Sequence, residues 1–253
     1  METRKKFLDR EIVQNVSGSV AASAAPEHNV TCESNRRVFL SACSAALIAA
    51  ASQFTAVSAS HAAPGVAVKR YAGSILADEY GQPVLARTLK PLTNYLFHYP
   101  FLATPCLLID LGRDVGGVGR AKSIVAFSAI CSHKLAYPAK EVSFIRFQAN
   151  ASTRSEAQRI HCCADHSVYD PAAGAKVVAG PAPAALAVVL LEHDRKADTL
   201  RAVGVSGVEQ FSAFFAKYEF KLGMEFGGRA ANLSGSNTRL QELTQFCRNI
   251  AQC

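Results

Sequence analysis

From residue 66 to about residue 204 the chain alternates short apolar runs with turn-forming clusters. The runs are "VAVKRY", "TPCLLID", "SIVAFSA", "VSFIRF", "QRIHCC", "AKVV", "LAVVLLE" and "DTLRAVG", separated by stretches such as "LGRDVGGVG" and "DPAAGAK". Many short strands at this spacing predict a mainly β protein, an antiparallel sandwich or barrel rather than a wound α/β sheet. The period changes after Gly207. In "VEQFSAFFAKYEFKLG" the apolar residues Val208, Phe211, Phe214, Phe215, Tyr218 and Leu222 recur at three and four, which predicts a helix laid with one face on the body. The stretch "TRLQELTQFCRNI" repeats Leu240, Leu243, Phe246 and Ile250 and is read as a second C-terminal helix. The aromatic stripe of the first helix is core packing rather than a cofactor box.

Composition narrows the class of partner. The chain has 253 residues, 49% of them hydrophobic, enough for one well-buried domain with a targeting segment to spare. Its net charge is +7, yet the Lys and Arg residues are scattered singly among acids, with no basic run or aromatic-interleaved stripe. That pattern argues against nucleic-acid binding. Trp is absent and aromatics make up 8%, so the core must come largely from Val, Leu, Ile, Ala and Phe.

The N-terminal region reads as an address. Residues 35 to 50, "NRRVFLSACSAALIAA", place two adjacent arginines before an uncharged apolar stretch, and no formally charged side chain lies between Arg37 and Lys69. "SASHAAPG" then supplies the small residues that a signal peptidase accepts. Together these look like a twin-arginine signal, which would make residues 1–63 a leader and the mature protein periplasmic. A bilayer span needs roughly 20 apolar residues. Val38 to Ala59 could therefore stay as an uncleaved inner-membrane anchor.

Beyond residue 63 six cysteines remain: Cys106, Cys131, Cys162, Cys163, Cys247 and Cys253. An exported protein could pair all of them, but two boxes also carry histidines. "SAICSHKLAYP" (128–138) holds Cys131 and His133, and "HCCADHSVYDP" (161–171) holds Cys163 and His166. Two thiolates and two imidazoles satisfy tetrahedral zinc or a [2Fe-2S] cluster with two Cys on one iron and two His on the other. A zinc finger would keep its thiols in one knuckle and its imidazoles in another. One of each per loop suits the two-iron cluster. Cys106 reads as a small buried hydrophobe, His161 as a partly exposed strand residue, and His98 and His193 as structural. Cys247 and Cys253 could close a terminal disulfide or pair between chains.

These boxes resemble those of Rieske iron-sulfur proteins, which read Cys-x-His and Cys-x-x-His. The resemblance extends through "YDPAAGAKVVAGPAPAAL" (169–186) and covers about residues 66 to 204. It implies a Rieske-type antiparallel β-sandwich or barrel over 64–206, with a small cluster-binding subdomain whose loops are 128–138 and 161–183, and a helical extension over 207–253. It also implies a [2Fe-2S] cofactor held by Cys131, His133, Cys163 and His166. Gly180, Pro181 and Pro183 would belong to the covering proline loop, and the Tyr169 hydroxyl would bond a ligand sulfur. "VAFSAICSHKLAYP", "LLIDLG" and the twin-arginine leader look most like the small subunit of arsenite oxidase and related exported proteins.

Three departures mark this sequence. Ala136 and Ala164 or Asp165 stand where many members have two further cysteines, so no disulfide clamp joins the loops there. Only Ser167 and Val168 separate His166 from Tyr169, one residue fewer than usual. Counting back from Tyr169 instead puts Cys162 at the ligand Cys position and Asp165 at the ligand His position. Cys163 with His166 keeps the familiar ligand chemistry and is the reading adopted, with Cys162 the alternative thiolate. Asp165, if not a ligand, would set a negative charge beside the cluster. Finally, 29 residues separate His133 from Cys163, and "FQANASTRSEAQR" within them should be a surface loop.

The resemblance implies one-electron transfer at a potential in the lower or middle part of about −150 to +300 mV. The protein would serve as the small subunit of an exported oxidoreductase complex, beside a larger catalytic subunit, a cytochrome, or both. A Rieske subunit of a membrane quinol-oxidising complex is an alternative that requires the 38–59 segment as an anchor. A zinc- or disulfide-stabilised binding module is the alternative of another class.

Overall fold

The computed structural model describes residues 58–59 and 67–253. The leader, the arginine pair and most of the apolar segment lie outside these residues. Among the described residues no helix is long and apolar enough to cross a membrane.

The first half of the chain forms β1 (Ser58–Ala59), β2 (Val68–Ala77), β3 (Tyr95–His98), β4 (Pro105–Asp110) and β5 (Ile124–Ser128). There follow β6 (Val142–Ser143), β7 (Ile145–Gln148), β8 (Arg159–Cys162), β9 (Ser167–Asp170) and β10 (Lys176–Ala179). The chain then returns through β11 (Val188–Asp194) and β12 (Thr199–Ser206) to α1 (Phe211–Phe226). It ends with β13 (Asn237–Arg239), β14 (Gln241–Glu242), α2 (Leu243–Phe246) and β15 (Asn249–Ile250).

Two main sheets, beside a two-stranded pair of β15 and β6, build the described residues. The larger runs β13-β2-β12-β11-β5-β4-β3-β14, with β1 on β11. It curls into a nearly closed barrel, and Thr238 on β13 ties its two ends. The Thr238 hydroxyl donates to the His98 carbonyl at 2.9 Å and accepts from the His98 N–H at 3.2 Å. The smaller sheet, β10-β9-β8-β7, is inserted between β5 and β11. The protein is mainly β, as its short apolar runs predict.

Strand alternation divides the apolar residues between two cores. On β4, Cys106 and Leu108 face the barrel interior with Leu76, Phe97, Ala126 and Leu191. Leu107 and Ile109 face the other way, joining Phe127 and the small-sheet residues Ile145, Phe147, Ile160 and Tyr169. A strand buried on both faces reads as a continuous apolar run, which accounts for "CLLI". Cys106 is fully buried, as expected of a small hydrophobe.

The chain after residue 207 is woven into the body. Phe211, Phe214 and Leu222 of α1 are buried, and Phe214 meets Tyr137 edge-on at 4.9 Å. Lys217 Nζ also donates to the Lys134 carbonyl at 2.6 Å, so this helix braces the first cysteine-bearing loop. The second predicted helix is present only over Leu243–Phe246. The residues around it are extended because sheet edges claim them: β13 pairs with β2, β14 with β3 and β15 with β6. Tertiary pairing here overrides a helical apolar spacing.

Phe214→Ala should lower stability by about 3–5 kcal/mol, as expected for an emptied aromatic core site. Phe220→Ala on the same helix, at a residue 81% exposed, should change it by less than about 0.5 kcal/mol. Urea denaturation of the two variants checks this difference.

Candidate metal centre

The first loop leaves β5 at Ser128 and folds into a tight turn. Cys131 N–H donates to the Ala136 carbonyl at 2.9 Å, and Leu135 N–H returns to the Cys131 carbonyl at 3.0 Å. Within this turn the N–H groups of His133 and Lys134 face the Cys131 sulfur. Consecutive backbone N–H groups make a concavity suited to an anion. Cys131 is completely buried, whereas the His133 side chain keeps 37% of its exposure.

The second loop is the β8–β9 hairpin. Ile160 pairs with Tyr169 and Cys162 with Ser167, leaving residues 163–166 as the connection. Side chains of an extended strand alternate, so Ile160 and Cys162 face the second core while His161 faces away. Residue 163 follows His161 to that far side. The Ala164 N–H approaches the Cys162 sulfur. Asp165 then turns back inward, its side chain only 2% exposed. The Ser167 N–H donates to Asp165 Oδ1 at 3.0 Å, leaving Oδ2 aimed at the first loop.

The two loops meet at that oxygen. Asp165 Oδ2 lies 3.0 Å from His133 Nδ1 and 3.3 Å from Cys131 Sγ. One donor atom each from Cys131, Cys162 and Asp165 lies within 4.8 Å of the other two. Tyr169 Oη stands 3.5 Å from Cys131 Sγ and equally 3.5 Å from Ser132 Oγ. Above the hairpin, residues 180–183 form a cover. Ala182 N–H donates to Ser167 Oγ at 3.1 Å, and Ser132 Oγ donates to the Ala184 carbonyl at 2.7 Å. Gly180 sits at φ +87°, where any Cβ would fall 2.5 Å from Ser167 Cα and 2.6 Å from the His166 carbonyl. Only glycine lets the cover close on the hairpin.

The structure therefore corrects the predicted quartet. Cys131 and His133 stand together as expected, but Cys163 and His166 are elsewhere. Cys163 is joined to Cys253 in a disulfide with Cα atoms 5.4 Å apart. His166, in the left-handed region at φ 61°, is exposed and lines a small pocket on the far side with Arg154, His161 and Cys253. The physical reason is strand alternation: adjacent cysteines cannot both face the second core, and Cys162 takes that direction. Cys162 is the alternative thiolate of the sequence motif. Tyr169 Oη stands beside Cys131 Sγ, and Gly180 packs on the hairpin at the start of the segment that holds Pro181 and Pro183. His161 is buried rather than partly exposed, its Nε2 bonded to Ser155 Oγ. His193 is structural, 3.0 Å from Asp198 Oδ1.

Proton affinities in the cluster are split. Hydrogen bonding with Cys162 lowers the Cys131 thiol pKa to about 6, helped by the Tyr169 hydroxyl and two backbone N–H groups, while burial works against the shift. The Cys162 thiol moves strongly upward, chiefly through its bond to Cys131 and then through burial. Burial would raise the Asp165 carboxyl, but the Ser167 N–H and the two cysteines outweigh it and hold it down. A 3.3 Å contact with Oδ2 suits Cys131 as a thiol donor, whereas its acidity makes it the first thiolate. The three groups therefore titrate as a coupled set rather than singly. Without the thiol proton, sulfur and carboxylate would repel at close range in a buried place, so the site favours a cation.

No protein-family model matches the chain. Among solved structures, the soluble domain of Rieske protein II (soxF) from Sulfolobus acidocaldarius is similar to it, at 26% identity with a TM-score of 0.40. The alignment covers 54% of this chain and 81% of that one.

Two outcomes follow for the metal-free protein. Its ultraviolet thiolate absorbance should rise through about pH 6, well below the ordinary cysteine range, and disappear in Cys131→Ser. Gly180→Ala should cost at least about 1–2 kcal/mol from the left-handed backbone alone. Timed alkylation should then find the buried thiols roughly tenfold more reactive.

Proposed function

We propose that the chain is a one-electron carrier using a Rieske-type [2Fe-2S] cluster. The observation that carries this reading is the pairing of two fully buried thiols, Cys131 and Cys162, on facing loops. Backbone N–H groups are turned toward each sulfur, and the Tyr169 hydroxyl is beside one of them. Hydrogen bonds of this kind hold anionic sulfur and tune an iron-sulfur centre. His133 stands at the rim with exposed surface. Cys131 and Cys162 would hold the cluster through their thiolates and His133 through its ring, a donor set that is not the two-histidine set of the sequence motif.

Such a centre, when bound, supplies one-electron redox chemistry. This chain's residues bury the sulfur side and exclude water from it with the 180–183 cover, leaving the His133 edge open to a partner. The partners suited to such a role would be a larger catalytic oxidoreductase subunit, a cytochrome, or both. The cysteine and histidine motifs, the proline loop and the arginine-pair leader support an exported, periplasmic small subunit of an oxidoreductase complex of the arsenite-oxidase type. The quinol-oxidising alternative would need the 38–59 segment as an anchor.

Tetrahedral zinc is the second reading. The 3.3 Å separation of Cys131 Sγ and Asp165 Oδ2 is close to the edge of a single coordination tetrahedron with bonds of about 2.0–2.3 Å.

The purified protein should contain iron and acid-labile sulfide in equal amounts, and dithionite should produce a Rieske-type electron paramagnetic resonance signal. Cys162→Ser should abolish that signal and Cys163→Ser should retain it, with circular dichroism reporting the fold of both. A colourless protein carrying stoichiometric zinc would rule the electron carrier out.

A further inference from the structure

We infer that Asp165, and not a second histidine, is the fourth ligand of this centre, joining Cys131, Cys162 and His133, so that one imidazole and one carboxylate complete the donor set. The inference rests on the cluster-binding reading above and specifies its ligands. Three observations lead to it.

First, Asp165 is built into the site. Its side chain is 2% exposed, and Oδ1 is fixed by the Ser167 N–H at 3.0 Å. Oδ2 is left 3.0 Å from His133 Nδ1. A carboxylate oxygen and a ring nitrogen at that separation can bind the same metal ion, which bonds oxygen or nitrogen at about 2.0–2.2 Å. Second, the alternative histidine is on the wrong side. His166 is exposed and borders the pocket lined by Arg154, His161 and Cys253, across the hairpin from Cys131.

Third, the hairpin is pinned against the change that would bring His166 inward. Moving His166 to the position of Asp165 requires a one-residue slip, which reverses every side chain of the strand concerned. A slip of β9 would take Tyr169 out of the second core and a slip of β8 would take Ile160 out, although both are fully buried there. The Cys163–Cys253 disulfide, which joins the hairpin turn to the C-terminus 90 residues later, would also have to move. This disulfide holds the turn in a chain that lacks the loop-to-loop pair.

A carboxylate adds one negative charge that a neutral imidazole does not, and negative charge at an iron-sulfur centre stabilises the oxidised state. The potential should therefore lie below that of an otherwise identical site with two histidines. The carboxylate also leaves His133 as the single coordinated ring.

Pulsed electron paramagnetic resonance of the reduced, full-length protein tests the assignment by counting coordinated nitrogens. One class of strongly coupled nitrogen is expected, unchanged in His166→Gln. Asp165→His should add a second class and raise the midpoint potential in a redox titration. Two coordinated nitrogens in the wild type, one of them lost in His166→Gln, would overturn the assignment and leave the electron-carrier reading standing. A correctly folded wild-type protein that gives no iron-sulfur signal after anaerobic reconstitution would overturn that reading, and this inference with it.

Discussion

The cross-strand pairing of Ile160 with Tyr169 is the contact on which the centre depends. Both residues are fully buried in the second core, and their pairing sets the phase of β8 and β9 together. Once they face inward, alternation turns Cys162 inward with Ile160 and brings Tyr169 toward Cys131. Cys163 and His161 are sent to the opposite face by the same rule. A core contact with no metal chemistry of its own thus selects which of two adjacent thiols can enter the site.

The remaining support comes from parts of the chain far away in sequence. The first loop is braced by α1 through Tyr137 and through the bond from Lys217 to the Lys134 carbonyl. The second is held by the C-terminus: β15 pairs with β6, Arg146 Nε donates to the Ala251 carbonyl at 3.2 Å, and Cys253 reaches Cys163. The segment after residue 207 therefore completes the scaffold of both loops. Rigid placement matters because a centre whose donors must stay within a few ångströms gains little from loops that can part.

Electrostatically the site is a concentration of groups that attract positive charge. Two sulfurs, a buried carboxylate and one ring nitrogen converge, with N–H groups and a phenol aimed at the sulfurs. Burial penalises the charged form of each of Cys131, Cys162 and Asp165, so their close approach favours a bound positive charge. The exposed His133 contrasts with these buried neighbours. The cluster thus runs from a closed sulfur side to an open nitrogen side.

Much of this was legible in the sequence. The short apolar runs fixed the mainly β class, the aromatic spacing of Phe211, Phe214 and Leu222 found α1, and the boxes around Cys131 and residues 161–166 found both loops. Tyr169 and Gly180, named in the sequence, stand beside these loops in the fold. The choice between Cys162 with Asp165 and Cys163 with His166 was also visible, but motif spacing favoured the second pair. Only the folded hairpin decides it, because strand phase is set by burial of Ile160 and Tyr169 against residues from β4, β5 and β7. Likewise, "TRLQELTQFCRNI" carries a helical apolar period, yet open sheet edges on β2, β3 and β6 draw its neighbourhood into strands. Local pattern determined which residues could bear the chemistry; tertiary structure determined which of them meet, since a side chain's direction depends on the surface its strand must cover.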